Sequence, residues 1–365
     1  MHELTRNCTK RPLFRAPSCN FVDRSLILTL KSLKITYDLW LCRVAYPLAG
    51  PYNATFQQPL ISGRIGAANL AKNPYYMATP VRWKQPRRVA TLDGRPDTPL
   101  RALALNLGQA ARSALTEPFR LTVEHHKISL RRLPPTFDGL RVVQLSDIHH
   151  SRFTSRAQIE RAVETANSLQ PDIVALTGDY VSKEREYAAP CAELMGRLRA
   201  RHGVFAVLGN HDHWTDAALI TDLFRAEGIT VLVNQGMRFE KAGAAFWLAG
   251  VDDTMVGLED LPLALAGARQ DELKLLLAHN PIILRRAARA GVDLVLSGHT
   301  HGGQVNLRSD RSEGGASERP RRRLVKGLAN RGETQIYITR GLGTVVLPVR
   351  FGCPPEVSLL ELRTA

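Results

Sequence analysis

Residues 140–149 read Leu-Arg-Val-Val-Gln-Leu-Ser-Asp-Ile-His, an apolar run that leads directly into a pair of polar side chains. The same arrangement returns at residues 172–179 and 204–212, where the apolar runs end in Gly-Asp and in Gly-Asn-His-Asp. Helical spacing of apolar residues fills 156–169 and 189–201. Strands that alternate with helices form a largely parallel sheet with helices on its faces. This stretch therefore predicts an α/β fold.

The rest of the chain holds more predicted strands than helices. Two lie ahead of the first motif, at 119–123 and 127–133, and six follow at 230–233, 245–251, 273–278, 292–296, 335–339 and 357–362. So many strands exceed what one sheet of alternating units needs, and they predict a second sheet stacked on the first. The expected architecture is a four-layer αββα sandwich, with two mixed β-sheets flanked by helices.

The net charge of +15 is unevenly distributed along the 365 residues. Residues 1–120 hold 18 Lys and Arg against 6 Asp and Glu, whereas residues 121–365 hold 31 against 28. The motif-bearing part is therefore nearly neutral, and it lacks the basic stripe interleaved with aromatic residues that single-stranded nucleic acid binding favours. A nucleic acid partner is not expected.

The five cysteines show no C-x-x-C spacing, which fits a reducing compartment and argues against a zinc ribbon. The sequence contains no run of about 18 apolar residues, which is the length that a membrane-spanning helix needs. It also shows no clear signal peptide. These features predict a cytoplasmic protein, with peripheral contact to the inner membrane as a further expectation.

We place a domain boundary near residue 115. Residues 1–114 are predicted to form a basic, poorly ordered extension, with a short apolar helix near 100–115 that lies on a membrane surface or against the domain. Two alternatives stay open for the first residues: translation that starts at Met77, which would leave 1–76 untranslated, or a basic arm that binds a membrane or nucleic acid. Residues 115–365 form the predicted catalytic domain.

Five polar motifs follow predicted strands of this domain. They are Asp147-Ile-His149, Gly178-Asp179, Gly209-Asn210-His211-Asp212, His279-Asn280 and Gly298-His299-Thr300-His301. Carboxyl ends of parallel strands are where ligands bind in such sheets. Mixed Asp, His and Asn ligands suit catalytic sites for divalent metals, and two ions need a bridging carboxylate. Asp179 is the natural bridge. By contrast, His150, His202 and His213 fit no ligand position and are predicted to be ordinary surface residues.

This set of motifs resembles the calcineurin-like metallophosphoesterase superfamily. The segments 339–343 and 347–356, and the approach from Glu117 to Arg141, are similar to its bacterial YkuE/YaeI-type subgroup. The resemblance covers residues 115–365. It implies one metal ion held by Asp147, His149, Asp179 and His301, and a second held by Asp179, Asn210, His279 and His299.

The same resemblance assigns a catalytic pair, and the sequence departs from the family pattern at one position. It implies that His211 stabilises the transition state or protonates the leaving oxygen, and that Asp212 orients and charges His211. The family often shows Gly-Asp-x-x-Asp, and Ser182 stands here in the place of the last aspartate. That change puts a supporting contact in doubt rather than a metal ligand.

Basic residues after the last motif are candidates for substrate contact. Arg340 and Arg350 flank a Gly-Leu-Gly turn, and either would bind a substrate phosphate. Residues 308–323 are rich in Gly, Ser and Arg, and they are predicted to form a loop. This loop is either a solvated insertion or a carrier of Arg321–Arg323 toward a second phosphate.

These observations predict a dinuclear metallophosphoesterase that uses Mn, Zn or Fe. A metal-activated water would attack a phosphodiester, a phosphomonoester or a pyrophosphate, and the substrate would be a phosphate ester that is lipid-linked or contains a nucleotide. Relatives in the resembling subgroup suggest an alternative, the hydrolysis of UDP-2,3-diacylglucosamine, a lipid A precursor. An alternative of another class is a metal-binding scaffold without catalysis.

Overall fold

The computed structural model describes residues 99–305 and 325–365. The predictions for residues 1–98, including the alternative start at Met77, lie outside the described residues, as does the loop 308–323. The helix predicted near 100–115 is present as α1 (Pro99–Thr116). The boundary near residue 115 stays a prediction.

The described part consists of helices and strands in alternation, followed by a strand-rich portion. Besides α1, the helices are α2 (Arg156–Ser168), α3 (Ala188–Met195), α4 (Asn210–Thr215), α5 (Ala217–Ala226), α6 (Leu261–Ala264) and α7 (Leu284–Arg289). The strands are β1 (Thr122–Leu130), β2 (Leu140–Leu145), β3 (Ile173–Thr177), β4 (Val204–Val207), β5 (Thr230–Val231), β6 (Gln235–Lys241), β7 (Ala244–Gly250), β8 (Lys274–Leu277), β9 (Leu294–Ser297), β10 (Gly327–Arg331), β11 (Thr334–Ile338) and β12 (Glu356–Thr364).

The strands form two mixed six-stranded sheets. The first has the order β1-β12-β2-β3-β4-β5, and the second has the order β10-β11-β9-β8-β7-β6. Strands β2 to β5 run parallel to one another, and so do β7, β8, β9 and β11. Antiparallel pairs join β12 to β2, β10 to β11 and β6 to β7. The predicted αββα sandwich is confirmed.

Three apolar clusters hold the four layers together. Between the sheets, the apolar side chains of one face meet those of the other, as with Val142, Phe205 and Leu277. On the outer face of the first sheet, Ile159 and Phe224 from α2 and α5 pack against Val143 and its neighbours. The third cluster covers the outer face of the second sheet with α6 and α7. Since the central strands are covered on both faces, they read as continuous apolar runs in the sequence.

One strand replaces the two that were predicted between residues 119 and 133. Residues Glu117–Phe119 form a 3-10 turn, and a single strand follows as β1. Its polar centre, Glu124 to Lys127, interrupted the apolar signal in the sequence. β1 is an edge strand that pairs only with β12 in the described part of the sheet, so alternate side chains point to solvent and can be polar.

The helix predicted over 189–201 is shorter in the structure, where α3 ends at Met195. The side chain of Asn167 explains the early end, because it donates to the carbonyl of Arg197 and accepts from the N–H of Arg199. Strands β6 and β10 were not predicted. Both are edge strands with largely exposed side chains, and such strands lack an apolar run. Among the described helices, none is long and apolar enough to cross a membrane.

Candidate metal centre

The predicted ligands converge where the carboxyl ends of strands from both sheets meet. Asp147 follows β2, Asp179 follows β3, and Asn210 begins α4 directly after β4. From the second sheet, His279 follows β8, and His299 and His301 follow β9. A parallel register brings these strand ends to one edge of each sheet, so residues far apart in sequence become neighbours.

One cluster of ligand atoms is made by Asp147, His149 and His301, all of them buried. The Nε2 atoms of His149 and His301 lie 3.1 Å apart, and Nε2 of His301 lies 3.3 Å from Oδ1 of Asp147. Two imidazole nitrogens and a carboxylate oxygen thus point at one small volume. A cation placed there would satisfy all three atoms.

A second cluster is made by Asp179, His279 and His299. Oδ2 of Asp179 lies 3.2 Å from Nε2 of His279, which lies 3.2 Å from Nδ1 of His299. The same Oδ2 atom is 3.4 Å from Nε2 of His149 in the first cluster. Asp179 therefore touches both clusters, as a bridging carboxylate must.

The chemistry of the donor set fits divalent metal ions. Asn210 is buried, and its Oδ1 accepts no hydrogen bond within the part of the chain that the structure describes. A buried amide oxygen without a partner costs free energy unless a ligand satisfies it. The ring of His279 is held by its Nδ1–H, which donates to the carbonyl of Thr177 at 2.7 Å, and this contact points Nε2 at Asp179 and His299.

Backbone strain is concentrated at the same residues. Ten non-glycine residues in the described ranges have positive φ, and half of them are predicted ligands. These are Asp147 (φ 51°), His149 (45°), Asp179 (60°), His299 (70°) and His301 (50°). The left-handed region costs a residue with a Cβ roughly 1 kcal/mol, and such strain clusters at functional sites. The tertiary fold therefore holds these residues in a backbone conformation that they would rarely adopt on their own.

The glycines of the motifs have two different roles. Gly178 has φ of +91°, which a residue with a side chain rarely adopts. Close approach applies at all three positions, because a Cβ would collide with the backbone of Gly209 at Gly178, with the carboxylate of Asp179 at Gly209 and with that of Asp147 at Gly298. Packing as well as turn geometry therefore explains these glycines.

Burial sets the protonation of the cluster. It lowers the pKa of His149 to about 4 and the pKa of His299 to about 3, so both rings stay neutral and keep a lone pair. Burial also raises the pKa of Asp147 to about 6. For Asp179, burial acts in the same upward direction, but the charges of His279 and His211 and the hydrogen bonds from His149 and His279 together outweigh it and hold that pKa well below its usual range.

His211 faces this centre from the first turn of α4. Its N–H donates to Oδ1 of Asp179 at 2.9 Å, and its ring meets the ring of His149 edge-on, with centroids 4.8 Å apart. Nδ1 of His211 donates to the carbonyl of Ser182 at 2.5 Å, which leaves Nε2 for a ligand. Ser182 thus supplies a supporting contact through its backbone, although its side chain differs from the aspartate of the family pattern.

Asp212 is predicted to orient and charge His211, but its hydrogen bonds within the described part of the chain go to the backbone and not to that ring. The carboxylate of Asp212 accepts from three backbone N–H groups, those of Asp179, Tyr180 and Gly209. The ring of His211 is oriented by Ser182 instead. Asp212 is fully buried, and burial together with the charge of Asp179 raises its pKa to about 7. Its position on the first helical turn points it back at the backbone of the preceding loops.

The two arginines predicted to contact substrate are engaged within the fold. Arg350 is completely buried, and its guanidinium donates to the carbonyls of Gly343, Cys353, Arg340 and Gly341. Arg340 forms ion pairs with Glu124 and Glu356 at 2.5 and 2.9 Å. These contacts argue against direct substrate binding, and both side chains act instead as supports for the loop 340–353.

That loop is tied to the candidate ligand His301 and to α1. Cys353 donates through Sγ to the carbonyl of His301 at 2.9 Å. The N–H groups of Gly352 and Cys353 donate to the carboxylate of Glu117, and the N–H of Arg350 donates to the carbonyl of Ala114 at 3.0 Å. The end of α1 and the ligand loop are therefore one hydrogen-bonded assembly.

Sequence reasoning missed residues beside the second cluster. Asp252 and Asp253 follow β7 directly, next to the end of β8 and His279, and Oδ2 of Asp253 is buried without a hydrogen-bond partner among the described residues. The signal was available, since a polar pair after an apolar strand had identified the other motifs. His213 and His150 are not surface residues either. His213 bonds to Asp252 at 2.5 Å, and His150 is buried against Tyr187.

Comparisons with known proteins agree with this geometry. Residues 140–303 match the model of the family described as calcineurin-like phosphoesterase. The uncharacterized metallophosphoesterase YkuE of Bacillus subtilis is 32% identical over 68% of this chain and 87% of its own length. The phosphodiesterase YaeI of Escherichia coli is 33% identical over 61% of this chain and 82% of its own.

A more distant kind of relative also matches. A protein of Bos taurus named transmembrane protein with metallophosphoesterase domain is 31% identical over 78% of this chain and 67% of its own length. Motifs, geometry and these similarities together establish that the chain belongs to the calcineurin-like phosphoesterase family. It is a metallophosphoesterase, an enzyme that hydrolyses phosphoric esters.

Proposed function

We propose that the protein hydrolyses a phosphodiester, or a related monoester or pyrophosphate, at a centre for two divalent metal ions. One observation carries the proposal: the Oδ2 atom of Asp179 lies within 3.4 Å of histidine nitrogens from both ligand clusters. We assign Asp147, His149, Asp179 and His301 to one ion, and Asp179, Asn210, His279 and His299 to the other. Mn, Zn and Fe all suit this mixed set of ligands.

Bound ions would supply an acidified water as nucleophile and would neutralise charge on the phosphate oxygens. The chain's own contribution begins with His211, which we place beside the leaving oxygen. Its Nδ1–H donates to the carbonyl of Ser182, so Nε2 faces the centre, and in the doubly protonated ring Nε2–H can give its proton to that oxygen and leave the ring neutral. Asp212 keeps the loops of Asp179 and Gly209 together, and His211 therefore stays at a fixed distance from the ligands.

Hydrolysis of bis-p-nitrophenyl phosphate, after loading with Mn or Zn, tests this proposal. We expect His211→Ala to lower the rate by about 10²- to 10⁴-fold with its bound metal unchanged, the usual contribution of an acid or base. Asp179→Ala should lose both the activity and the metal. His202→Ala is the matched control, because His202 is exposed and lies at the opposite ends of the strands.

If both variants hydrolyse the diester at the rate of the unaltered protein, the site assignment fails. An unaltered protein that binds two ions but hydrolyses no ester in a panel of diesters, monoesters and pyrophosphates would support the scaffold alternative. The metal content of the purified protein, measured in the same preparation, separates an unloaded enzyme from an inactive one.

A second candidate is a lipid-linked pyrophosphate such as UDP-2,3-diacylglucosamine. The observation that favours it is the face of α1, where Leu103, Leu107 and Leu115 lie in a helical row and are each more than half exposed. Such a face suits a lipid surface, and we propose a location at the cytoplasmic face of the inner membrane on that ground. Release of UMP from this substrate tests the idea, and no release by a protein that cleaves bis-p-nitrophenyl phosphate removes it.

A further inference from the structure

An exposed tryptophan stands beside the proposed proton donor. Trp214 lies on α4, the same short helix that begins with Asn210 and His211, and 59% of its surface is exposed. Its ring centroid lies 4.8 Å from that of His211, at an interplanar angle of 59°. A single exposed apolar residue is common on protein surfaces. The indole of Trp214, however, contacts His211, the residue that we place beside the leaving oxygen, so its exposure calls for a functional explanation.

The fold fixes Trp214 in this position from both sides. Asp212 ties the start of α4 to the loops of the metal ligands. On the other side of the helix, Nε2 of His213 contacts Oδ1 of Asp252 at 2.5 Å. The backbone under the indole is therefore held before any ligand arrives. A rigid aromatic side chain loses little conformational entropy on binding, which favours a recognition role.

A second segment with exposed apolar surface is joined to α4. Asp252 and Asp253 lie beside the end of β8, and Oδ1 of Asp253 accepts from the N–H groups of Met255 and Val256. The turn so formed leaves Met255 42% exposed. Methionine sulfur is polarisable and contacts aromatic rings favourably. The contact between His213 and Asp252 joins this segment to α4, so Trp214 and Met255 belong to adjoining elements.

We propose that Trp214 is a stacking platform for a planar ring in the leaving group of the substrate, with Met255 as a second apolar contact. The proposal rests on the proposed function, because His211 defines which side of the phosphate the leaving group occupies. An aryl group and a nucleobase share the chemistry that the indole recognises. In this arrangement the metal centre binds the phosphate group, and Trp214 and Met255 select the leaving group that is attached to it.

Ligand binding to the metal-loaded protein tests the platform without relying on turnover. Phenylphosphonate and methylphosphonate present the same anionic group, and they differ in the ring. We expect the unaltered protein to bind phenylphosphonate up to about tenfold more tightly, the size of an aromatic contact of about 1.4 kcal/mol. Calorimetry should show this ratio falling to about one in Trp214→Ala and surviving in Trp214→Phe.

Leu263→Ala is the matched control, since Leu263 is 58% exposed on α6 in the outer helical layer, and it should keep the full ratio. A second pair of probes, UMP and ribose 5-phosphate, differs by a nucleobase alone. Tighter binding of UMP that is lost in Trp214→Ala assigns the platform to a nucleobase, whereas a preference for phenylphosphonate alone assigns it to a simpler ring.

The platform is refuted if the unaltered protein prefers neither ring-bearing probe, or if the preference persists in Trp214→Ala. This failure is distinct from failure of the proposed function. In the first case bis-p-nitrophenyl phosphate is still hydrolysed, and methylphosphonate still binds. In the second case no ester is hydrolysed, whatever the ring preference.

Discussion

The carboxylate of Asp212 accepts a hydrogen bond from the backbone N–H of Asp179 at 2.8 Å, so a residue of α4 helps to fix the position of the proposed bridging carboxylate. The same oxygen accepts from Gly209, and the other oxygen accepts from Tyr180. Three loop amides thus depend on one buried side chain. This relationship gives Asp212 a structural task in place of the contact with His211 that the family pattern implied.

The substitution Asp212→Asn should destabilise the metal-free protein by about 1–3 kcal/mol. An asparagine keeps one oxygen but turns an NH₂ group toward a backbone N–H, and two buried donors then face each other. Urea unfolding in the presence of EDTA measures the loss. Asp222→Asn serves as the control, because Asp222 is exposed on α5 and its change should leave stability within about 0.5 kcal/mol. Equal midpoints for the two variants would contradict the role given to Asp212.

Single replacements of ligands should change the metal stoichiometry in a pattern set by the two clusters. We expect His301→Ala and His299→Ala each to lose one ion, because each histidine belongs to a different cluster. Asp179→Ala should lose both ions, because Oδ2 of Asp179 lies against both. Elemental analysis of the purified variants gives the counts. Two retained ions in Asp179→Ala would rule out a bridge at this residue.

The left-handed backbone at His299 predicts an unusual order of stabilities. His299→Gly should be more stable than His299→Ala by about 1 kcal/mol without metal, since glycine adopts positive φ without a steric cost. At His279, which is not among the positive-φ residues, the order should reverse because glycine gains more entropy on unfolding. Chemical unfolding of the four variants in EDTA compares them. If the Gly and Ala variants had the same order of stability at both positions, backbone strain at His299 would not be what determines that order.

Arg350→Met should destabilise the protein by about 3 kcal/mol, as expected when buried hydrogen bonds from a charged group are lost. The guanidinium donates to the carbonyls of the loop 340–353, and methionine fills similar volume without a donor. Arg161→Met, on the exposed face of α2, is the control and should be nearly neutral. Thermal unfolding of both variants measures the difference. A stable Arg350→Met that lost only substrate affinity would restore the binding role first predicted for Arg350.

The sequence predicted those features that depend on local pattern. Apolar runs located the central strands, and polar residues at their ends located the seven candidate ligands that the fold brings together. It did not predict features that depend on tertiary neighbours. The early end of α3 depends on Asn167, more than twenty residues before it. The burial of Arg350 depends on how the loop 340–353 folds around it, so that four carbonyls of the loop face one guanidinium. No sequence pattern pointed to Trp214, because its proposed role rests on the contact between its ring and that of His211, which forms only in the folded protein.

The position of β12 has a consequence for how the chain comes to be folded during synthesis. β12 lies between β1 and β2 in the first sheet, with Thr122 opposite Glu356 and Leu140 opposite Leu362. A ribosome therefore produces β1 and β2 long before their shared neighbour exists. Until residues 356–364 emerge, both strands expose an unpaired edge, and unpaired edges invite aggregation. A nascent chain of this protein should need a chaperone's protection until β12 has been synthesised.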